Sequence, residues 1–238
     1  MAQKPVPGGM IDPITHYVVN CFGDVLEGRH TLEQIFKECP IVGDKEGTSS
    51  SLSIHISRIM EVLEINLEAK SKNYTDPALC AVFMINNWNY VVLKVIISEM
   101  ATILGHDWII KHTTKVHQNL EHYQRTWDKV LELLMLDSNE REMLNVVEDS
   151  MKEKLELFNK RVNDMFSVQS TWFILDGQLR EKIRISVEKN LLPALENFTA
   201  RFQKLIGKDA YEYAMFDTDA LLNNLFRGNK IGNLLMGM

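Results

Sequence analysis

The stretch AVFMINNWNYVVLKVI, Ala81 to Ile96, is apolar on nearly every face of the helix its composition favours. Such a helix has to be surrounded by other elements of its bundle. Asn86, Asn87 and Asn89 crowd its centre, with Trp88 between them and Tyr90 after. Asn is roughly 0.6 kcal/mol worse than Ala at an interior helical position, so three together call for a reason. Spacings of three and four put Asn86, Asn87 and Tyr90 on one side, with Lys94 one further step along. A buried amide without a partner costs about 1–3 kcal/mol. Asn86, Asn87 and Tyr90 are therefore read as a structural polar latch that fixes helix register. The expected partner is the backbone of an irregular neighbour, and SVQSTWFILD, Ser167 to Asp176, is the irregular segment that stands out.

The rest of the chain is patterned for helices. Only 6 of 238 residues are proline and 12 are glycine. Asp12-Pro13 reads as N-cap and first helical position, with Ile14, Tyr17, Val18, Cys21, Phe22, Val25 and Leu26 behind it at helical spacing. Thr31 and Gln34 form a capping-box pattern for a short second helix. Cys39 to Ser51 is a loop by its Pro, Gly and Ser content. A helix over about 52–70 follows. The next starts at Asp76-Pro77 and is expected to run unbroken to Gly105, about 40 Å. Asp107 is read as the cap of a helix to about Leu136, and another covers about 138–166. Asp176 opens a helix to about Leu192, Pro193 starts a separate one ending near Gly207, and a last one covers about 218–226. Strand-like alternation is nowhere sustained and no repeat has a fixed period. The expected fold is all-α, an elongated stack of antiparallel helical bundles.

Chemistry is sparse. A net charge of -6 does not suit a chain that coats nucleic acid. Cys21, Cys39 and Cys80, odd in number and widely spaced, read as reduced packing thiols of a cytosolic protein. The start MAQKPVPGG has no apolar core of a secretory signal, and no uncharged apolar run reaches the roughly 18 residues of a spanning helix. His112, His117 and His122 are spaced by five, about 140° apart around a helix, so with His106 they read as surface groups without a shared metal face. Asp217 and Asp219 read as helix-start acids. Phosphate-binding and nucleophile-elbow motifs are missing, and neither a cofactor, a metal nor catalysis is expected.

An ordered set of segments resembles one known family. GGMIDPITHYVVNCF, FMINNWNYVVLKV, LGHDWIIKHTTKVHQNLEHYQRTWDKVLELL, Phe158-Asn159, QSTW, DGQLREKIRISVEKNLLPALENF and LLNNLFRG are similar, in that order, to the C-terminal region of the seventy-kilodalton subunit of the exocyst, with wording most like a plant member. The resemblance implies residues 1–10 as a flexible lead, 11–228 as the helical region and 229–238 as a tail. It implies a non-enzymatic subunit of the complex that tethers secretory vesicles before exocytosis, cytoplasmic and peripheral at the plasma membrane. Other exocyst subunits, small GTPases and phosphoinositide surfaces are the implied partners. A second implied role is a recognition module in plant immunity, bound by a pathogen effector. The family's N-terminal half has no counterpart here. Where many members carry two lysines near a Tyr, this chain has Asp209 and Glu212 beside Tyr213.

Other basic residues lie upstream of that segment. Arg180 and Arg184 share a side, while Lys182 and Lys189 point elsewhere. Arg201, Lys204 and Lys208 fall within about 60° of each other, beside the core stripe Leu195, Phe198, Phe202 and Leu205. Those three are the expected lipid-binding residues, each contributing about 1 kcal/mol at an anionic surface.

Overall fold

The computed structural model describes residues 4–38, 51–135, 144–206 and 222–228. The expectations for Cys39, Lys208, Asp209, Glu212, Tyr213, Asp217, Asp219 and the 229–238 tail lie outside them. The chain divides into two compact units, Met1–Leu120 and Glu121–Met238. The described residues are helical almost throughout and include one isolated antiparallel bridge, between Phe173 and Arg227.

In the first unit a 3-10 turn, Pro7–Gly9, precedes α1 (Pro13–Glu27), α2 (Arg29–Glu38), α3 (Ser51–Ser71), α4 (Pro77–Ile96) and α5 (Met100–Leu104). Helix α6 (His106–Leu131) begins here, and the division falls within it. The Asp-Pro pairs work as caps. The Asp12 carboxylate accepts from Ile14 N–H at 2.9 Å, and Asp76 accepts from Ala78 and Leu79 N–H at 2.7 and 3.3 Å. Helix α4 is the centre, with the 3-10 turn, α1, α3 and α5 packed on it. Its Val82, Phe83, Ile85, Trp88, Val91 and Val95 are all 0% exposed. Burying each such side chain contributes about 1.5–3 kcal/mol.

Several boundaries differ from expectation. Helix α2 starts at Arg29, so Thr31 lies inside it rather than capping it. The junction Gly28 donates to Asp24 O and accepts from Leu32 N–H, both at 2.9 Å, which joins α1 to α2 without a spacer. The long helix expected from Asp76 to Gly105 is broken at 97–99. Ser98 Oγ donates to Val95 O at 3.2 Å and accepts from Met100 N–H at 3.4 Å, competing with the helical ladder. The break lets Met100, Ile103 and Leu104 turn into the core. Gly105, with φ 82, ends α5. Asp107 sits in the first turn of α6 rather than at its cap. The apolar patterning predicts no segment of membrane-spanning length, but α4 does meet that requirement by length and hydropathy; 61% of the window is buried among its neighbours.

Within the lead read as flexible, Val6 packs against the core and its carbonyl accepts from the Tyr74 hydroxyl at 2.8 Å. Gly9 is buried against α4 with φ +68, and a Cβ there would sit 3.0 Å from Val82 Cγ1 and 3.2 Å from the Phe83 nitrogen. Only glycine fits both the backbone angle and the space.

The second unit holds the later part of α6, a 3-10 turn at Glu132–Leu134, α7 (Leu144–Gln169) and α8 (Gly177–Ile206). Its core includes Tyr123, Trp127, Phe158, Val162, Phe166, Trp172, Ile174, Ile183, Val187, Phe198 and Phe202. Asp176 caps α8, accepting Leu179 N–H on its side chain at 2.6 Å. Helix α8 then passes through Pro193 instead of restarting there. Pro193 leaves the Lys189 carbonyl without its helical donor, and both residues are exposed, so water can take that place.

Candidate functional site

Asn87 is 0% exposed and Asn86 is 3% exposed. The Asn87 carbonyl Oδ1 accepts from Asp12 N–H at 2.9 Å and from the Thr15 hydroxyl at 2.6 Å. Its Nδ2 donates to Phe83 O at 2.8 Å, one turn back on α4. Asn86 Nδ2 donates to Gly9 O at 2.7 Å. Apart from Phe83, these partners come from residues 9–15, the lead into α1 and its first turn, and not from SVQSTWFILD. That segment bonds within the second unit, where Gln169 accepts from the Tyr123 hydroxyl at 2.6 Å. Tyr90 is half-buried one turn further along, its ring edge-on to His16 at 4.9 Å and under Lys94 Nζ at 5.7 Å.

Asp12 joins a third helix to the same point. Lys70 Nζ of α3 donates to both its carboxylate oxygens, at 2.7 and 2.8 Å. A cap, an ion pair and an amide acceptor thus converge on one buried aspartate. What this arrangement can do is fix how three helices meet, since each polar group is satisfied by another.

A second polar group departs from its expected place. The histidine spacing predicts a surface position for His112, yet the residue is buried, stacked on Trp108 at 3.9 Å and tilted against Trp88 at 4.6 Å. Its Nδ1 lies 2.8 Å from Trp108 O and so carries the proton; Nε2 faces Glu64 Oε2 at 3.7 Å. Glu64 of α3 pairs with Lys115, and Lys111 Nζ stands 4.0 Å away. The signal that finds this position is the stripe Ile109, His112, Val116, Leu120, Tyr123, at spacings of three and four, in which His112 takes an apolar place. The five-residue spacing of the histidines obscures it. His106, His117 and His122 are exposed, and no group of three or more metal-capable His, Cys, Asp or Glu side chains occurs among the described residues.

Burial pushes the His112 ring below the ordinary histidine range; the bond to Trp108 opposes this and Lys111 adds to it. The folded state therefore prefers the neutral ring, whereas the unfolded chain takes up a proton below about pH 6.5. That contribution to stability is present above about pH 6.5 and is lost as pH falls through the depressed folded value. Urea midpoints should fall between about pH 7.5 and 5.5 for the parent, and His112→Gln should flatten that slope. An unchanged slope in the variant would remove His112 as the cause.

On α8, Arg201 and Lys204 are exposed beside buried Phe198 and Phe202, while Lys208 lies outside the described residues. Arg184 is engaged by Glu181 at 2.8 Å and Glu188 at 3.0 Å, so its charge is offset locally.

A family model for the C-terminal part of the Exo70 exocyst complex subunit matches residues 1–226. The chain is 45% identical over 237 residues to exocyst complex component EXO70B1 of Arabidopsis thaliana, covering 97% of this chain and 38% of that protein. It is 36% identical over 229 residues to EXO70B2 of the same plant, covering 93% of this chain and 36% of the relative. Human exocyst complex component 7 is 29% identical over 171 residues, 64% of this chain and 22% of its own length. The chain thus spans well under half the length of these curated relatives. Among solved structures, Saccharomyces cerevisiae Exo70 superposes with a TM-score of 0.69 at 18% identity, over 95% of this chain and 48% of that one. At that identity the likeness concerns the fold.

Proposed function

The chain belongs to the Exo70 family of the exocyst complex, in its C-terminal region, and from that premise we propose that it serves as the C-terminal helical part of an exocyst component in vesicle tethering. The observation that carries this reading is the match of the family model to residues 1–226. The role is scaffolding rather than catalytic. It accords with a first unit whose most elaborate polar groups, around Asn87 and Asp12, are spent on joining helices. Other exocyst subunits are the proposed partners, the cytoplasmic face of the plasma membrane the proposed place. Recovery of other exocyst subunits in stoichiometric amounts with the tagged chain from plant cells supports the reading; recovery of the chain alone overturns it.

Membrane contact in this proposal is made by Arg201, Lys204 and Lys208. The net charge of -6 repels an anionic surface at long range. Beyond about 8 Å at physiological salt that repulsion is largely screened, which leaves the local stripe to act. Binding to phosphoinositide vesicles should be weak and salt-sensitive, and the triple change to Ala should abolish it in a sedimentation assay. Asp209→Lys with Glu212→Lys should strengthen it. Binding that survives half-molar salt or the triple change sinks this surface. No binding by the parent leaves protein recognition, of the kind a pathogen effector exploits, as the role of this end.

A further inference from the structure

The segment Leu222–Gly228 is held on the second unit by backbone hydrogen bonds and by three buried side chains. Leu222, Leu225 and Phe226 are buried, at 1%, 3% and 0% exposure. Phe226 N–H donates to Gln169 O at 3.3 Å and Gly228 N–H to Trp172 O at 2.9 Å, on either side of the bridge between Phe173 and Arg227. The Phe226 ring lies 5.5 Å from that of Tyr123. The segment opens with a helical turn at Leu222–Asn224 and pairs its backbone at its end; backbone pairing that holds a segment while pockets take its side chains is a recurrent mode of peptide recognition.

Two further observations bear on whether the segment can leave. Phe226 holds φ 58, a left-handed conformation that a bulky residue rarely adopts. The floor beneath it is fastened without its help. The Tyr123 hydroxyl donates to Gln169 Oε1 at 2.6 Å, and Trp127 Nε1–H donates to the Tyr123 oxygen at 3.0 Å. Trp172 and Ile174 are buried with the segment in place. The hydrogen bonds of the floor thus run within α6 and between α6 and α7, and the segment lies on them as an occupant.

We propose that Tyr123, Gln169, Trp172 and Phe173 form a peptide-binding slot, filled in cis by Leu222–Gly228. The slot accepts from a partner a peptide of the same chemistry: leucine, two small polar residues, leucine-phenylalanine, a cation and glycine. The occupant in cis reduces the apparent affinity for any such peptide to the intrinsic affinity times the fraction of time the slot is empty.

The test uses a fluorescein-labelled LNNLFRG peptide and the full chain, read by anisotropy. The parent should bind it weakly, and the Phe226→Ala chain about tenfold more tightly, because its own segment competes less well. A peptide with Ala in place of the phenylalanine should bind neither. Equal binding of LNNLFRG by parent and variant, or none by either, overturns the proposal. Should Phe226→Ala fail to fold, hydrogen exchange of the parent decides. The Phe226 and Gly228 amides should exchange at least about tenfold faster than those of Phe158 and Ile183. Equal protection at all four positions means that the segment never leaves without global unfolding, and the slot is then not one.

Discussion

Asn87→Leu is expected to destabilise the first unit by about 3–5 kcal/mol, although leucine has the same branched shape as asparagine and is more apolar. The change removes the acceptor of Asp12 N–H and of the Thr15 hydroxyl, and both remain in a region closed to water. Each donor left unpaired costs about 1–3 kcal/mol, and the gain from one more buried apolar side chain does not offset two of them. Urea unfolding measures the loss. Hydrogen exchange of the Asp12 amide distinguishes a broken latch from general core damage, since it should accelerate before the amides of α4 do. A loss under about 1 kcal/mol would mean that Asn87 is not what holds the lead into α1.

The Asp12–Lys70 pair makes a sharper test, because its two halves have unequal surroundings. The Asp12 side chain is 4% exposed and the Lys70 side chain 22%. Lys70→Met removes the partner that can reach water and strands the carboxylate that cannot. The expected loss is about 3 kcal/mol, since breaking a buried pair leaves an uncompensated charge. Asp12→Asn added to Lys70→Met should restore part of that loss, as asparagine keeps the N-cap acceptor without the charge. The double-mutant cycle should show a coupling of about 1–3 kcal/mol between the two positions. Additive losses would mean that the pair contributes through its separate contacts and not as a pair.

Local signals are legible where one residue type has one mechanical use. Asp12-Pro13, Asp76-Pro77, Asp176 and Gly105 mark helix ends through their own side chain or backbone freedom, and the structure has its ends there. The all-round apolar character of Ala81 to Ile96 likewise places α4 at the centre of its bundle. What is not legible depends on choice among distant partners. The latch amides need a backbone to bond, and the sequence offers many; a Gly-Pro-rich start such as the lead into α1 reads as loose and so as a poor partner. Pro193 reads as a helix start because its cost inside a helix is large. Exposure lowers that cost, and exposure is a tertiary property. Ser98 is ordinary until its hydroxyl is seen to bond on both sides of a break.

His112 escapes a sequence reading for a related reason. A histidine on an apolar stripe has two readings, and only the fold decides between them. Here two indoles and a carboxylate already committed to Lys115 surround the ring.

The aromatic pair around His112 has an optical side. Of the 4 tryptophans, Trp88 and Trp108 lie in the first unit and Trp127 and Trp172 in the second. The first pair touches a ring that can take up a proton, and a protonated imidazole in contact with an indole quenches its emission. Trp127 instead donates its N–H to a tyrosine hydroxyl, and its ring lies 5.2 Å from that of Phe166. Intrinsic fluorescence therefore speaks with two voices in this molecule. One carries the protonation state of the first unit's interior, and the other registers whether the second unit remains folded.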